Sequence, residues 1–255
     1  MTAGKVWLVG AGPGAPDLLT VRALRLLEHA DIVFHDALVD PEIVALASCA
    51  ERIAVGKRCG RHSTAQRFIN KRLIDAAHTH QRVVRLKGGD PMLFGRAQEE
   101  IDALLVAGIQ VEVVPGVTSA LAASADMQRS LTARGISRSV TFVTPRVGAG
   151  EDRSNWVRAA VAADTAVIYM ASHEAAAIGA ALIAHGMAPG TPAAIVEGAS
   201  LSGQRQVLPV TLATLGAAGM RLLGGPALIV VGENFRALAE QAVVPDSATA
   251  SRRRA

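Results

Sequence analysis

VVRLKGGDPMLFGRAQEE, residues 83–100, is the stretch from which the rest of the chain can be read. Val83-Val84-Arg85-Leu86 is a short apolar run of strand length, Lys87-Gly88-Gly89-Asp90-Pro91 interrupts it, and an amphipathic helix is expected from near Phe94. Two glycines permit positive φ and a close approach of a ligand to the main chain, while Pro91 ends the strand and biases Asp90 toward an extended conformation. A carboxylate and bare carbonyls at the carboxyl end of a parallel strand suit a ligand carrying hydroxyls, an ammonium or another cation. Gly-Gly-Asp-Pro by itself fits an ordinary strand-to-helix loop equally well.

Working outward toward the N-terminus, Gln66 to His78 reads as a polar amphipathic helix, and Glu51 to Val55 as a strand ending in the basic segment Gly56-Lys57-Arg58-Cys59-Gly60-Arg61-His62. That segment could clamp carboxylates or be only solvated. Asp31 to His35 is another buried strand with Asp36 at its end, where catalytic residues gather, and the turn after it leads into a helix over 42–47. Lys5 to Gly10 is a strand followed by Gly10-Ala11-Gly12-Pro13-Gly14-Ala15-Pro16-Asp17. Gly10-x-Gly12-x-x-Ala15, with Asp36 further on, formally fits a dinucleotide fingerprint. Pro13 and Pro16 remove amides that a pyrophosphate would need, so a plain tight turn is the stronger reading.

Downstream, a helix is expected over 95–107 and a strand at Gln110 to Val114. Strand and helix thus alternate five times, which argues for an α/β unit with a mainly parallel sheet and helices on both faces. Pro115-Gly116 punctuates the chain, and Thr118 and Ser119 could cap the next helix and face a cleft. The second half reads as a strand at Ser139–Val143, a helix from about 153 to 162, a strand at Thr165–Tyr169 ending in Met170, and a helix from Glu174 to His185. Pro192–Glu197 and Gln204–Pro209 read as strands joined by a loop, which makes this sheet mixed. A short helix over 211–220 and a strand at Ala227–Val231 follow, with little order expected after Leu238. The division expected is an N-terminal domain over 1–116, a C-terminal domain over 117–240, and a disordered basic tail over 241–255.

With 255 residues and 50% hydrophobic content, the chain can bury one large core or two modest ones. The net charge of +4 is mild and owes much to Arg252-Arg253-Arg254; with only 3% aromatic residues there is little material for a base-stacking surface, so nucleic acid is not an expected partner. A positive balance weakly favours an acidic small substrate. The two cysteines, Cys49 and Cys59, lack the spacing of a disulfide framework or a zinc site, and no metal is expected. No signal peptide or membrane-length apolar run is evident, so a soluble cytoplasmic chain is the default expectation.

LKGGDPMLFGRAQEE resembles the signature of the tetrapyrrole methylases that use S-adenosylmethionine (SAM). The resemblance continues through VGAGPGAPDLLT at 9–20, HDALV at 35–39, VGKRCG at 55–60, VVPGVTSA at 113–120, AVIYM at 166–170 and PALIVVGE at 226–233. It implies two α/β domains with the active site in the cleft between them, and C-methylation of uroporphyrinogen III at two ring carbons to give precorrin-2. SAM is the implied co-substrate, and Pro13, Gly88, Gly89, Asp90, Leu93, Thr118, Ser119, Met170 and Ala199 match the positions that hold it. The resemblance places Asp36 and Lys57 in acid–base roles. Arg61, Arg85, Arg96 and Arg134 are candidate contacts for the substrate carboxylates. It further implies a homodimer and, since no dehydrogenase/chelatase domain accompanies the match, a monofunctional enzyme. Ala37 and Ala133 stand where many relatives carry Arg and His, and Pro145-Arg146 and Ala199-Ser200 also depart from the pattern. A related methylase acting on a later corrin intermediate is the alternative enzyme. A binding module that retains SAM, a tetrapyrrole or a dinucleotide without turnover is the rival from another class.

Overall fold

A computed structural model describes residues 3–55, 66–147, 154–171, 173–201 and 203–243. The chain divides into two compact units, the first running to Ala122 and joined by Ser200 and Leu201, the second taking Ala123–Ala199 and the chain from Gly203 onward.

In the first unit the order is β1 (Lys5–Gly10), α1 (Val21–Glu28), β2 (Ile32–His35), α2 (Pro41–Ala45), β3 (Glu51–Ala54), α3 (Gln66–Thr79), β4 (Arg82–Lys87), α4 (Ala97–Val106), β5 (Gln110–Val114) and the start of α5 (Ser119–Met127). The strands form one sheet in the order β3-β2-β4-β1-β5, and every neighbouring pair is parallel. A strand shows alternate side chains to opposite faces, so each face needs its own helical cover. Val9, Val33, Val84, Leu86 and Val114 pack with Ala23 and Leu27 of α1 and Ile43 and Val44 of α2. Val6, Leu8, Ile32, Phe34 and Val83 pack with Ile69 and Leu73 of α3 and Leu104 of α4. Each such aliphatic side chain contributes about 1.5–3 kcal/mol when fully buried. The Thr20 hydroxyl accepts from Ala23 N at 3.1 Å and caps α1, and the Asp40 carboxylate accepts from Glu42 N at 2.8 Å ahead of α2. The expected start of α4 near Phe94 is corrected to Ala97, because Phe94 and Arg96 take left-handed φ values of 53° and 55° that no helix tolerates.

The second unit contains β6 (Val140–Val143), α6 (Trp156–Ala162), β7 (Thr165–Ile168), α7 (Ala175–Ala184), β8 (Pro192–Glu197), β9 (Gln206–Thr211), α8 (Leu215–Gly219), β10 (Ala227–Gly232) and α9 (Arg236–Val243). Its sheet runs β6-β7-β10-β8-β9, with β6 and β7 parallel and the other pairs antiparallel, a mixed sheet. Order does not stop at Leu238 as expected, since α9 continues to Val243. Phe235, wholly buried, anchors the turn before this helix, and Arg236 is held to Glu233 at 2.7 Å. The rest of the expected tail lies outside the described residues. Among the described residues no helix is long and apolar enough to cross a membrane.

Candidate active site

Because β1 lies between β4 and β5, the three loops leaving their carboxyl ends are neighbours. They meet backbone to backbone through glycine. A Cβ on Gly10 would stand 2.6 Å from Gly116 Cα and 2.7 Å from Gly89 O, and one on Gly116 only 2.3 Å from Gly89 O. No side chain fits at either position without displacing main chain. Gly12 and Gly89 exchange N–H···O bonds of 3.2 and 2.7 Å, and Ala11 N donates to Lys87 O at 2.7 Å. Asp90 locks the same junction, accepting from Met92 N at 2.8 Å with one carboxylate oxygen and from Gly116 N at 3.0 Å with the other. Its carboxylate therefore holds two loops in register before any ligand arrives.

In the first loop Ala11 and Gly12 have spent their amides on β4 and its loop, Ala15 N donates to the Ser200 hydroxyl at 3.1 Å, and Pro13 and Pro16 have no N–H. Few donors remain for a pyrophosphate, so the glycines serve close packing and not a dinucleotide. Gly88 is exposed, and a Cβ there would find nothing nearer than Leu38 Cβ at 3.8 Å, so its backbone is open to an approaching ligand. Pro13, Leu93, Thr118 and Ser119 are half-buried, and the Thr118 carbonyl accepts from Leu121 N and Ala122 N as α5 begins.

The second feature is a cluster of charges on one face of the sheet. Ile32 and Phe34 of β2 and Val83 of β4 point to the same core, and continuing the two-residue period brings Asp36, Arg85 and Lys87 to that face. Arg85 is 2% exposed, and its guanidinium is divided among three directions. Nη2 donates to Asp36 Oδ1 at 2.5 Å, Nε to Glu100 Oε1 at 3.1 Å, and Nη1 to the carbonyls of Leu86 at 3.1 Å and Phe34 at 3.5 Å. Lys87 Nζ lies 3.1 Å from both Glu100 oxygens, and Gln66 Nε2 donates to Glu100 Oε1 at 3.0 Å. Burial, chiefly, and the neighbouring Arg85 charge push the Lys87 ammonium below the ordinary lysine range, against the opposing pull of Glu100 and Asp36. Asp36 keeps an open side: its side chain is 30% exposed and lines a pocket of about 300 Å³ with His35, Ala37, Val39 and Arg52.

These features gather Pro13, Gly88, Gly89, Asp90, Leu93, Thr118, Ser119 and Asp36 in the first unit. Met170 and Ala199 belong to the second unit: Met170, 40% exposed, follows β7 with a left-handed φ of 57°, and Ala199 is buried after β8. Of the four arginines expected at substrate carboxylates, Arg85 is committed to Asp36 and Glu100. Arg96 is exposed and paired with Glu99 at 2.7 and 2.8 Å, and Arg134 is exposed on the turn between Ala133 and Ser137. Lys57 and Arg61 lie outside the described residues. Sequence reasoning passed over Glu100, the one wholly buried carboxylate of this cluster. The available signal was Arg85-Leu86-Lys87, two cations at period two inside an apolar strand, which require a buried acid on the facing helix.

The comparisons with known proteins agree in direction. Residues 5–216 match the family described as Tetrapyrrole (Corrin/Porphyrin) Methylases. A Uroporphyrinogen-III C-methyltransferase of Pseudomonas aeruginosa is 44% identical over 243 residues, covering 94% of this chain and 98% of that one. A Siroheme synthase of Chromobacterium violaceum is 47% identical over 232 residues, 91% of this chain; the chain spans about half the length of that relative, 49%. Among solved structures, Uroporphyrin-III C-methyl transferase from Thermus thermophilus complexed with S-adenyl homocysteine is similar at a TM-score of 0.81 and 38% identity, over 92% of this chain and 100% of that one. The parallel sheet with its glycine-joined loops, the mixed second sheet and a family match spanning most of the sequence lead to one conclusion: the chain belongs to the tetrapyrrole (corrin/porphyrin) methylases.

Proposed function

We propose that the chain transfers methyl groups from SAM to two ring carbons of uroporphyrinogen III, giving precorrin-2 for sirohaem or cobalamin synthesis. The observation that carries this reading is the pairing of Asp36 with Arg85 beside a pocket, next to loops whose backbone is bared by glycine. The activity named for the Pseudomonas relative and the ligand named for the Thermus structure support it.

The residues present fit SAM. Gly88 leaves main chain exposed for polar groups, Gly89 holds the turn that presents it, Leu93 and Pro13 offer apolar surface, and Thr118 and Ser119 bring hydroxyls. When bound, SAM supplies the methyl group. The protein's share is to hold donor and acceptor in line and to manage the proton that the acceptor must lose after a ring carbon forms its new bond. Asp36 takes up that proton, and Arg85 holds its carboxylate in place. By resemblance Lys57 shares the acid–base work with Asp36, and Arg61 and Arg134 are the candidate contacts for the substrate carboxylates. Met170 and Ala199 complete the cofactor contacts on the same ground. The domain division near 116, the homodimer and the cytoplasmic location are part of the same proposal.

Calorimetric titration should give binding of SAM and S-adenosylhomocysteine and none of NAD. Mass spectrometry of anaerobic, reduced reactions with uroporphyrinogen III should then show two successive methyl additions. Asp36→Asn should retain cofactor binding and lose turnover by on the order of 10². NAD binding without SAM binding would sink the methylase reading, and a single stalled addition would direct attention to Ala37 and Ala133.

A further inference from the structure

The charge cluster is larger than a base and its counter-ion require. Among the described residues it holds two cations, Arg85 and Lys87, and two carboxylates, Asp36 and Glu100, with Gln66 as the neutral fifth member. Glu100 is 0% exposed and accepts from three side chains: Arg85, Lys87 and Gln66. Its helix is fixed by Asn70 Nδ2 of α3, which donates to Glu99 O at 3.0 Å. Gly95 lies close over the Lys87 stem, since a Cβ there would stand 3.2 Å from Lys87 Cε. Buried ion clusters of this kind are seldom more stabilising than hydrocarbon of the same volume, so this one calls for a reason other than stability.

The reason lies in what happens when Asp36 accepts a proton. Among the described residues, the charged groups around Glu100 are Arg85 and Lys87 from β4 and, beyond Arg85, Asp36 from the end of β2; Arg96 and Glu99 at the start of α4 pair with each other, Glu99 also lying within the field of Lys87, and His35 and Arg52 share the pocket of Asp36. With Glu100 ionised the quartet is neutral at rest and carries one positive charge after proton uptake. With Glu100 uncharged and both cations retained, the same uptake would leave two positive charges in a buried site and would be opposed. We propose that Glu100 is a positioning residue that sets the basicity of Asp36 through Arg85. It grips the Nε edge of the guanidinium so that Nη2 meets Asp36, and its charge offsets that of Lys87. This inference rests on the acid–base role given above to Asp36.

Glu100→Gln, Lys87→Met and the double variant test it, with kcat, KM for SAM, calorimetric S-adenosylhomocysteine affinity and the acid limb of the kcat–pH profile as readouts. Glu100→Gln should lower kcat by about 10–100-fold, leave KM for SAM and product affinity within about twofold, and move the acid limb to lower pH. Lys87→Met removes a cation that favours ionised Asp36, so its limb should move to higher pH. In the double variant the two changes oppose each other, and the limb should return toward the wild-type position. A Glu100→Gln enzyme with wild-type kcat and an unmoved limb overturns the proposal. If that single variant fails to fold, the double variant decides, and a limb no different from that of Lys87→Met alone overturns it. Absence of methyl transfer by the wild-type chain overturns the functional reading and this inference together, whereas normal wild-type turnover beside an unaltered Glu100→Gln overturns this inference alone.

Discussion

Each unit buries a glutamate completely, and the two are satisfied by opposite kinds of partner. Glu197, at the end of β8 and 1% exposed, accepts from the backbone amides of Leu223 at 2.8 Å and Gly225 at 2.5 Å, fixing the turn that leads into β10. Glu100, 0% exposed, accepts instead from the side chains of Arg85, Lys87 and Gln66. A carboxylate held by peptide N–H groups is tied to groups that do not titrate, so its surroundings are electrically fixed. One held by side-chain cations sits among whole charges, and one of them, the Lys87 ammonium, has a proton affinity that responds to its neighbours. The difference teaches how to separate architecture from chemistry in a chain with two α/β units: the degree of burial is the same, and the nature of the donors tells them apart.

The comparison can be broken most forcefully at Arg85. Arg85→Leu removes the ion pair of Asp36 and leaves Glu100 with Lys87 and Gln66, and should cost about 3–5 kcal/mol of stability in urea denaturation near neutral pH. A loss below about 1 kcal/mol would mean that the cluster is not acting as a buried network. A smaller effect is expected at Glu197. Glu197→Gln offers one acceptor oxygen to two amides, and should cost about 1–3 kcal/mol while leaving S-adenosylhomocysteine affinity unchanged. Weakened cofactor binding in that variant would erase the distinction between the two glutamates. The smallest effect is a pH dependence from Lys87. Its pKa in the folded protein is lowered from 10.5, so between the lowered value and 10.5 the unfolded chain binds more protons. Stability from this group is therefore depressed near neutrality and rises with pH through that window. Denaturation midpoints of wild type and Lys87→Met should converge or cross as pH approaches 10.5, and a constant gap between them would deny the burial of a charged lysine.

The alternation of apolar runs with helical spacing carried most of the first sheet, because parallel strands covered on both faces must be nearly continuous hydrocarbon, as Val83-Val84 and Ile32-Val33-Phe34 are. The helix after Asp90 starts late for a reason that is invisible to periodicity: Phe94 and Arg96 adopt left-handed conformations that their side chains do not advertise. The helix past Leu238 escapes a reading by periodicity because its anchor, Phe235, lies before it, in the turn that follows the strand read at Ala227–Val231. The loop residues of the candidate site were legible as glycines, a proline and an aspartate at strand ends. That Asp90 would bond to Gly116, across 26 positions, was not, since the partner is brought near only by β1 inserting between β4 and β5. Glu100 stayed hidden for the same reason: its meaning depends on which helix face covers Arg85.

The glycine junction also says something about the order in which this protein can come into being. β1 is made before the other described strands of its unit, yet its two neighbours in the sheet are the last two strands of that unit. During synthesis its hydrogen-bonding edges must wait, unpaired, until β4 and then β5 have emerged, and only when Gly116 arrives can the loops of Gly10 and Gly89 close upon it. Nonlocal closure of this kind is slow and leaves a bare strand at risk of pairing elsewhere. The candidate site thus belongs to the last event in the assembly of its unit, and a nascent chain that still lacks Gly116 has not yet built the place where a cofactor would sit.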